Sequence, residues 1–158
     1  MQTDYDFMRV ALEEAELAFK KDEVPVGAVV VSSGQIIARA HNAPITRHDP
    51  SAHAEMLAMR QAAETNGNYR LTNAELYVTL EPCIMCAGAI IQARLARVIF
   101  GTRDPKNGAV HSLYEILTDK RLNHQVVVTE GILKEECGEI LSRFFREKRI
   151  VSASAAAE

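Results

Sequence analysis

The sequence has no long hydrophobic run, and this absence excludes a membrane-spanning protein. The longest apolar stretch, residues 24–31, is far shorter than the roughly 20 residues that a helix needs to cross a bilayer. The first residues are polar and acidic, unlike a secretory signal peptide. We therefore expect a cytoplasmic protein with no membrane partner.

The sequence is also poor in cysteine, with three among 158 residues. Cys83 and Cys86 have the spacing of metal ligands, which leaves Cys137 alone and predicts no disulfide partner. A reducing cytoplasm suits two thiolates. We interpret Cys137 as an inert helix residue.

An excess of positive charge is missing as well. The net charge is −3, which gives no overall signature of nucleic-acid binding. Two local basic patches nevertheless occur, at Arg103 with Lys106 and at residues 143–149, which include Arg146. These patches are suited to grip an RNA backbone. The second also suits the negative end of a helix dipole, and the sequence leaves both interpretations open.

Length and composition predict one globular domain over residues 1–151, followed by a disordered tail of small residues at 152–158. Apolar periodicity and turn residues predict alternating helices and short strands, and hence a three-layer α/β/α fold with a mixed sheet. The predicted helices cover residues 6–21, 52–65, 83–94, 113–117 and 134–148, and the predicted strands cover 27–31, 35–40, 75–80, 98–101 and 125–129.

Two short motifs carry the chemistry. His53-Ala54-Glu55 begins one predicted helix, and Pro82-Cys83-Ile84-Met85-Cys86 begins another. We expect Asp49 to cap the first helix and Pro82 to be the first residue of the second. His53, Cys83 and Cys86 then supply three ligands to zinc, and the fourth position remains open, as in catalytic sites.

Glu55 separates a catalytic metal from the alternatives. A structural zinc clip or a redox-active Cys-x-x-Cys pair would explain the two cysteines. Neither needs a carboxylate beside the histidine, whereas a hydrolytic site needs a group that moves protons. His-x-Glu followed by Pro-Cys-x-x-Cys is the pattern of zinc-dependent nucleoside and nucleobase deaminases.

The helix predicted over residues 83–94 is apolar on nearly every side. Such a helix is buried on several faces. Packing against a second subunit would explain the pattern, and so would burial within one chain. We favour a homodimer.

The chain resembles the bacterial tRNA-specific adenosine deaminases over residues 6–149. The resemblance is carried by residues 23–29, 47–55, 76–89, 100–104 and 144–146. It implies a cytidine-deaminase-like fold with a five-stranded sheet and a homodimer with one Zn²⁺ per subunit. It also implies hydrolytic conversion of adenosine to inosine at the wobble position of a tRNA anticodon stem-loop, with arginine tRNA as the expected substrate. Zinc-activated hydroxide is the expected nucleophile and Glu55 the expected proton shuttle.

The resemblance also implies substrate contacts outside the metal motif. These contacts are Asn42, Val26, Asp104, Lys106, Phe145 and Arg146. Without the resemblance, Asn42 is an ordinary turn residue, and Val26 and Phe145 are equally plausible core residues. For Asp104 we expect a hydrogen bond to a ribose 2′-hydroxyl, which would favour RNA over DNA.

Two other functions fit the metal motif. A deaminase of a free base or nucleotide shares the same chemistry, and only the substrate separates it from a tRNA enzyme. A zinc or RNA-binding module without activity would need no Glu55.

Overall fold

The computed structural model describes residues 1–157, with side chains to residue 156. Within these residues, five helices surround a five-stranded sheet whose strands lie in the order β2-β1-β3-β4-β5. The helices are α1 (Asp4–Lys20), α2 (Pro44–Arg47), α3 (Ala54–Asn66), α4 (Ile84–Gln92) and α5 (Lys134–Ala157). The strands are β1 (Gly27–Ser32), β2 (Gln35–His41), β3 (Glu75–Leu80), β4 (Arg97–Thr102) and β5 (Val127–Glu130).

Alternating side chains of the central strands build a core on each face of the sheet. In β1, Ala28 and Val30 join the cluster packed on α3 and α4, whereas Val29 and Val31 join the cluster on α1 and α5. Because successive side chains of a strand point to opposite faces, a sheet covered on both sides reads as a continuous apolar run. The three-layer α/β/α prediction is confirmed.

The strand directions bring several chain segments to one edge of the sheet. β1 is antiparallel to β2 and β3, and β3, β4 and β5 are parallel to one another. The beginning of β1 therefore lies beside the end of β3, where Gly27 N donates to Thr79 Oγ1 at 3.2 Å. At the opposite edge Arg97 donates to Asp4 at 2.7 Å and to Glu75 at 2.9 Å.

The prediction of a helix at residues 113–117 is wrong. The backbone N–H groups of Leu113 and Ile116 donate to Gly108 and Ala109 of the preceding loop, so no helical ladder forms. Leu117, the last residue of this segment, is fully buried. Apolar spacing in a short stretch here reflects packing and not helix formation.

The C-terminal helix is longer than predicted. α5 continues through the segment for which the sequence suggests a disordered tail, as far as Ala157. Alanine is the best helix former and no glycine or proline interrupts residues 139–157, which accounts for the extension. Glu158, also part of the predicted tail, lies outside the described residues. No helix within residues 1–157 has the length and apolarity required to cross a bilayer.

Candidate active site

The three predicted metal ligands meet at the beginnings of two helices. His53 is the N-cap of α3, Cys83 is the N-cap of α4, and Cys86 lies in the first turn of α4. Both caps have extended backbone, with ψ of 152° at His53 and 177° at Cys83. The ligand atoms of the three residues all lie within 4.8 Å of one another.

The distances between these atoms fit a tetrahedral zinc ion. His53 Nδ1 lies 3.5 Å from Cys83 Sγ and 3.6 Å from Cys86 Sγ. A tetrahedral ion bound at the usual Zn–N and Zn–S lengths would separate nitrogen and sulfur by about 3.6 Å. One imidazole and two thiols hold three corners and leave the fourth for water or substrate, as in catalytic zinc sites.

The two thiols differ in their acidity. The Cys86 thiol beside Cys83, together with His53, lowers the pKa of Cys83 to about 4. The neighbouring Cys83 and burial raise the pKa of Cys86. Contact with Cys83 also raises the pKa of His53. The cluster therefore holds shared protons that a divalent cation would displace on binding.

Glu55 lies beside this cluster and is 4% exposed. Burial raises the pKa of its carboxyl to about 7, although a hydrogen bond from its own backbone N–H and the nearby His53 oppose that rise. A carboxyl of near-neutral pKa both accepts and releases a proton at physiological pH. Residues i and i+2 of a helix do not face each other, but His53 precedes the helical residues, so its side chain and that of Glu55 reach the same site.

Both helices begin later than the sequence predicts. Pro82 precedes the N-cap of α4 and is not its first helical residue. Asp49 does not cap α3; its Oδ1 accepts from Ser51 N at 2.8 Å and holds the loop before His53. Proline and aspartate are as common in turns as at helix starts, so the prediction that the three residues cluster agrees with the structure, whereas both predicted caps are wrong.

Asn42 and Val26 line a cavity of about 470 Å³ that also contains His53 and Glu55. Asn42 has a structural contact as well, because its Oδ1 accepts from Ala54 N at 2.8 Å at the beginning of α3. Its Nδ2 has no acceptor among residues 1–157. The remaining lining residues are Val24, Pro44, Leu80, Glu81, Cys83, Ile84, Asp104 and Asn107.

A second cavity of about 790 Å³ adjoins the first. The two share part of their lining, namely Val24, Leu80, Asp104 and Asn107. Lys106 and Phe145, both predicted to contact substrate, line the second cavity. It is otherwise lined by Arg103, Pro105, Leu141, Lys148, Arg149 and Ser152.

Arg146 is the one predicted contact residue that lines neither cavity. Its Nη2 donates to Glu139 at 3.2 Å on the exposed side of α5. Arg143 is also paired, with Glu16 at 3.1 Å. The basic residues of α5 that line the second cavity are Arg149 and Lys148, of which Lys148 is also paired, with Asp22.

Sequence reasoning missed several residues of the first cavity, and Glu81 is the most unusual. It is charged and 2% exposed, and it directly precedes Pro82-Cys83. Burial opposes ionisation of Glu81, but hydrogen bonds from His111, Ser112 and Asp104 outweigh it and lower the pKa of Glu81 to about 2. The signal that the sequence does contain is an acidic residue directly after a predicted strand and two positions before Cys83.

The sequence profile of the MafB19-like deaminases matches residues 2–149 of the chain. The chain belongs to this deaminase family. A tRNA-specific adenosine deaminase of Bacillus subtilis (strain 168) is 51% identical over 149 residues, which cover 94% of this chain and 92% of the relative.

Solved structures agree with this assignment. A structure from a study of A-to-I editing by tRNA:A34 deaminases at the wobble position of transfer RNA is 47% identical to the enzyme. It superimposes with a TM-score of 0.83, covering 85% of this chain and 98% of that one. A guanine deaminase from Nitrosomonas europaea superimposes with a TM-score of 0.81 at 22% identity, covering 91% and 85% of the two chains, and shows the shared fold alone.

Proposed function

We propose that the enzyme deaminates adenosine to inosine at the wobble position of a tRNA anticodon, with arginine tRNA as the substrate. Water replaces the amino group at C6 of adenine, and ammonia leaves. The observation that carries this proposal is the basic second cavity, which adjoins the cavity that holds His53, Glu55 and Cys83. A free base needs only the first cavity, whereas a polynucleotide also needs a surface for its flanking phosphates.

Zinc is the proposed cofactor, one ion per subunit, held by His53, Cys83 and Cys86. When bound, zinc supplies a Lewis acid that lowers the pKa of water towards neutrality. Glu55 accepts one proton from water and donates it to N1 of adenine. It then accepts the remaining proton of the oxygen added at C6 and donates it to the departing amine, which leaves as ammonia. The near-neutral pKa of the Glu55 carboxyl suits both directions of transfer.

The first cavity suits a single adenosine. Its volume of about 470 Å³ lies in the usual range for small-molecule sites. In the proposed complex Asn42 donates through Nδ2 to the nucleoside, and Val26 contacts the base. Because Asn42 Oδ1 is held by the α3 backbone, the orientation of its amide is set before substrate binds.

The second cavity suits the rest of the anticodon loop. We assign Lys106 to phosphate and the exposed ring of Phe145, 43% accessible, to stacking with a base. Arg146 lies further out on α5, where it would reach a phosphate only after leaving Glu139. A cytoplasmic location follows from the proposed tRNA substrate and from the thiolate ligands.

Asp104 is proposed to favour RNA over DNA by accepting a hydrogen bond from a ribose 2′-hydroxyl. Its Oδ1 also accepts from the backbone N–H groups of Lys106 and Asn107, at 3.1 and 3.3 Å. Asp104→Asn keeps an acceptor for those bonds and removes the charge. We expect the ratio of activity on a deoxyadenosine stem-loop to that on the RNA stem-loop to rise. An unchanged ratio would reject this role.

A homodimer is the proposed assembly. α4 buries Cys86, Ala87, Ile90 and Ile91, while Ile84 at its beginning is 57% exposed. The next exposed apolar residues, Leu113 and Tyr114, follow a loop that is bonded to the same segment through Ala109 N and Pro82 O at 2.8 Å. Exposed apolar residues on neighbouring segments are typical of subunit contacts and support this proposal.

The decisive test is inosine formation by zinc-loaded enzyme on an arginine-tRNA anticodon stem-loop with adenosine at the wobble position. Free adenosine, cytidine and guanine serve as parallel substrates, and a stem-loop with guanosine at that position serves as the matched control. Inosine in the adenosine stem-loop alone supports the proposal. Turnover of a free base with the stem-loop untouched would keep the chemistry and overturn the substrate.

A further inference from the structure

Glu81 is a buried carboxylate without a cationic partner among the described residues. It follows the last residue of β3 and is 2% exposed. Charged side chains are seldom buried unless they are paired, because losing water costs a carboxylate more than a neutral group. The side chain must therefore be compensated by hydrogen bonds, and all of them come from a single loop.

Backbone and side-chain donors of residues 104–112 surround both carboxylate oxygens. Oε2 accepts from the N–H groups of Val110, His111 and Ser112, at 3.0, 2.8 and 2.9 Å. Oε1 accepts from Asp104 N at 3.1 Å and from the hydroxyl of Ser112. Both ends of the loop are thus bonded to one carboxylate, which fixes the path of the residues between them.

Two further contacts attach the same loop to the segment that carries Cys83. Ala109 N donates to Pro82 O at 2.8 Å, and Gly108 pairs with Cys83 as an isolated β-bridge. A side chain at Gly108 would not fit, since a Cβ there would lie 2.3 Å from Glu81 Cδ. The sequence therefore leaves space for the carboxylate where the loop passes closest to it.

The loop held in this way carries the walls of both cavities. Asp104 and Asn107 line the two cavities, and Lys106 lines the second. We propose that Glu81 is a positioning residue that holds residues 104–112 in the conformation that binds the substrate. This inference rests on the proposed function only for the identity of the substrate; the anchoring of the loop does not depend on it.

A purely structural role for Glu81 would lower stability without changing substrate binding. The two roles separate in the kinetics, because the loop lines both proposed substrate cavities and none of its residues is assigned a proton transfer in the proposed reaction. Loss of a positioning residue should therefore raise KM more than it lowers kcat. It should also leave the metal content unchanged, since none of the three predicted ligands lies within residues 104–112.

Glu81→Gln is the principal variant. Each carboxylate oxygen of Glu81 accepts a hydrogen bond from at least one backbone N–H group. Gln has only one oxygen, so its NH₂ group must face such an N–H, and two donors cannot form a hydrogen bond with each other. Ser112→Ala is a milder variant that removes one donor and leaves the carboxylate in place. Glu75→Gln is the matched control, because Glu75 begins the same strand and pairs with Arg97 at the far edge of the sheet.

Hydrogen exchange of the backbone amides, zinc content, and KM and kcat on the stem-loop would be measured for all four proteins. For Glu81→Gln we expect exchange at residues 104 and 110–112 to rise at least about tenfold and KM to rise about tenfold or more. We expect one zinc per chain and a smaller change in kcat. Ser112→Ala should change the same quantities less, and Glu75→Gln should match wild type in all of them.

Three results for Glu81→Gln would each overturn the proposal. They are hydrogen exchange in the loop at the wild-type rate, loss of zinc, and faster exchange in the loop with an unchanged KM. The exchange measurement requires no substrate. Wild-type enzyme that fails to form inosine would therefore refute the proposed function alone, and the anchoring of the loop would still be decided by exchange, with KM measured on the substrate that is turned over.

Discussion

At the scale of single residues, the chemistry of the site depends on where each side chain stands relative to a helix start. The sequence predicts His53, Cys83 and Cys86 as a cluster because their types and spacing suit zinc, and the structure brings them together. It does not predict that His53 and Cys83 are N-caps, since cap geometry depends on the loops before each helix. That geometry is what lets Glu55 share the site with His53.

Glu55→Gln tests the proton-transfer role with almost no change in side-chain volume. Gln cannot accept and release a proton, so we expect kcat to fall by about 10²- to 10⁴-fold. Glu55→Ala should abolish turnover as well. Both variants should keep one zinc per chain, because the three ligands are unchanged.

Metal analysis checks the zinc content and single-turnover kinetics check the loss of rate, with Glu64→Gln, an exposed position of the same helix, as the control. Turnover of Glu55→Gln within tenfold of wild type would remove Glu55 from the mechanism.

The depressed pKa of Glu81 predicts a dependence of stability on pH. The folded-state pKa is about 2 and the ordinary value is 4.5, so the native state favours the ionised form. The stabilisation is complete above pH 4.5 and is lost as the pH falls towards 2, and it amounts to about 3 kcal/mol at most.

The free energy of unfolding should therefore decline more steeply over this pH range for wild type than for Glu81→Gln, measured by urea unfolding at each pH. Acid also releases zinc from thiolates, but this effect is common to both proteins and cancels in the difference. Parallel declines in the two proteins would mean that Glu81 titrates normally in the folded state.

At the scale of helices and strands, burial of both faces explains the agreement between sequence and structure at two of the strands. β1 and β3 are predicted almost to the residue because both faces of each are covered, which leaves long apolar runs between turns. The edge strand β5 begins later than predicted, at Val127. The segment 113–117 is packed by long-range contacts, for which local spacing contains no signal.

The close packing of α1 on β1 can be tested by a substitution at Gly27. A Cβ on Gly27 would lie 1.9 Å from Ala11 O and 2.6 Å from Ala15 N, both backbone atoms of α1. Gly27→Ala must therefore push the helix away from the strand, and we expect it to destabilise the fold by about 3 kcal/mol.

Gly138→Ala in α5 is the control for that prediction, because the nearest atom to its new Cβ would be Thr102 Oγ1 at 3.9 Å. Alanine has the higher helix propensity, so this variant should be neutral or more stable by up to about 1 kcal/mol. Urea unfolding of both variants gives the comparison. Equal stabilities for the two would show that α1 does not pack on β1 as closely as described.

At the scale of the whole molecule, function follows from which segments meet at one edge of the sheet. The beginning of β1, the end of β3 and the loop after β4 converge there and supply Val26, Glu81 and Asp104 to a single cavity. The net charge of −3 does not reveal the basic lining of the second cavity, because the cations that line it are a small subset of all basic residues. Composition therefore gives no sign of the proposed nucleic-acid substrate, whereas the cations gathered at the second cavity support the proposal.

The proposed homodimer is a property of the molecule as a whole, and Leu113 tests it. Leu113 is 53% exposed and lines neither cavity, so Leu113→Glu adds a charge to the apolar surface around α4 without altering the site. Wild-type protein should have twice the 17.5 kDa mass of the chain in light scattering, and Leu113→Glu should approach the mass of one chain at micromolar concentration.

Val127→Glu, on the edge strand at 64% exposure, is the matched control and should keep the wild-type mass. A wild-type mass of one chain would reject the dimer. Dissociation of the Val127 variant alone would place the subunit contact at β5.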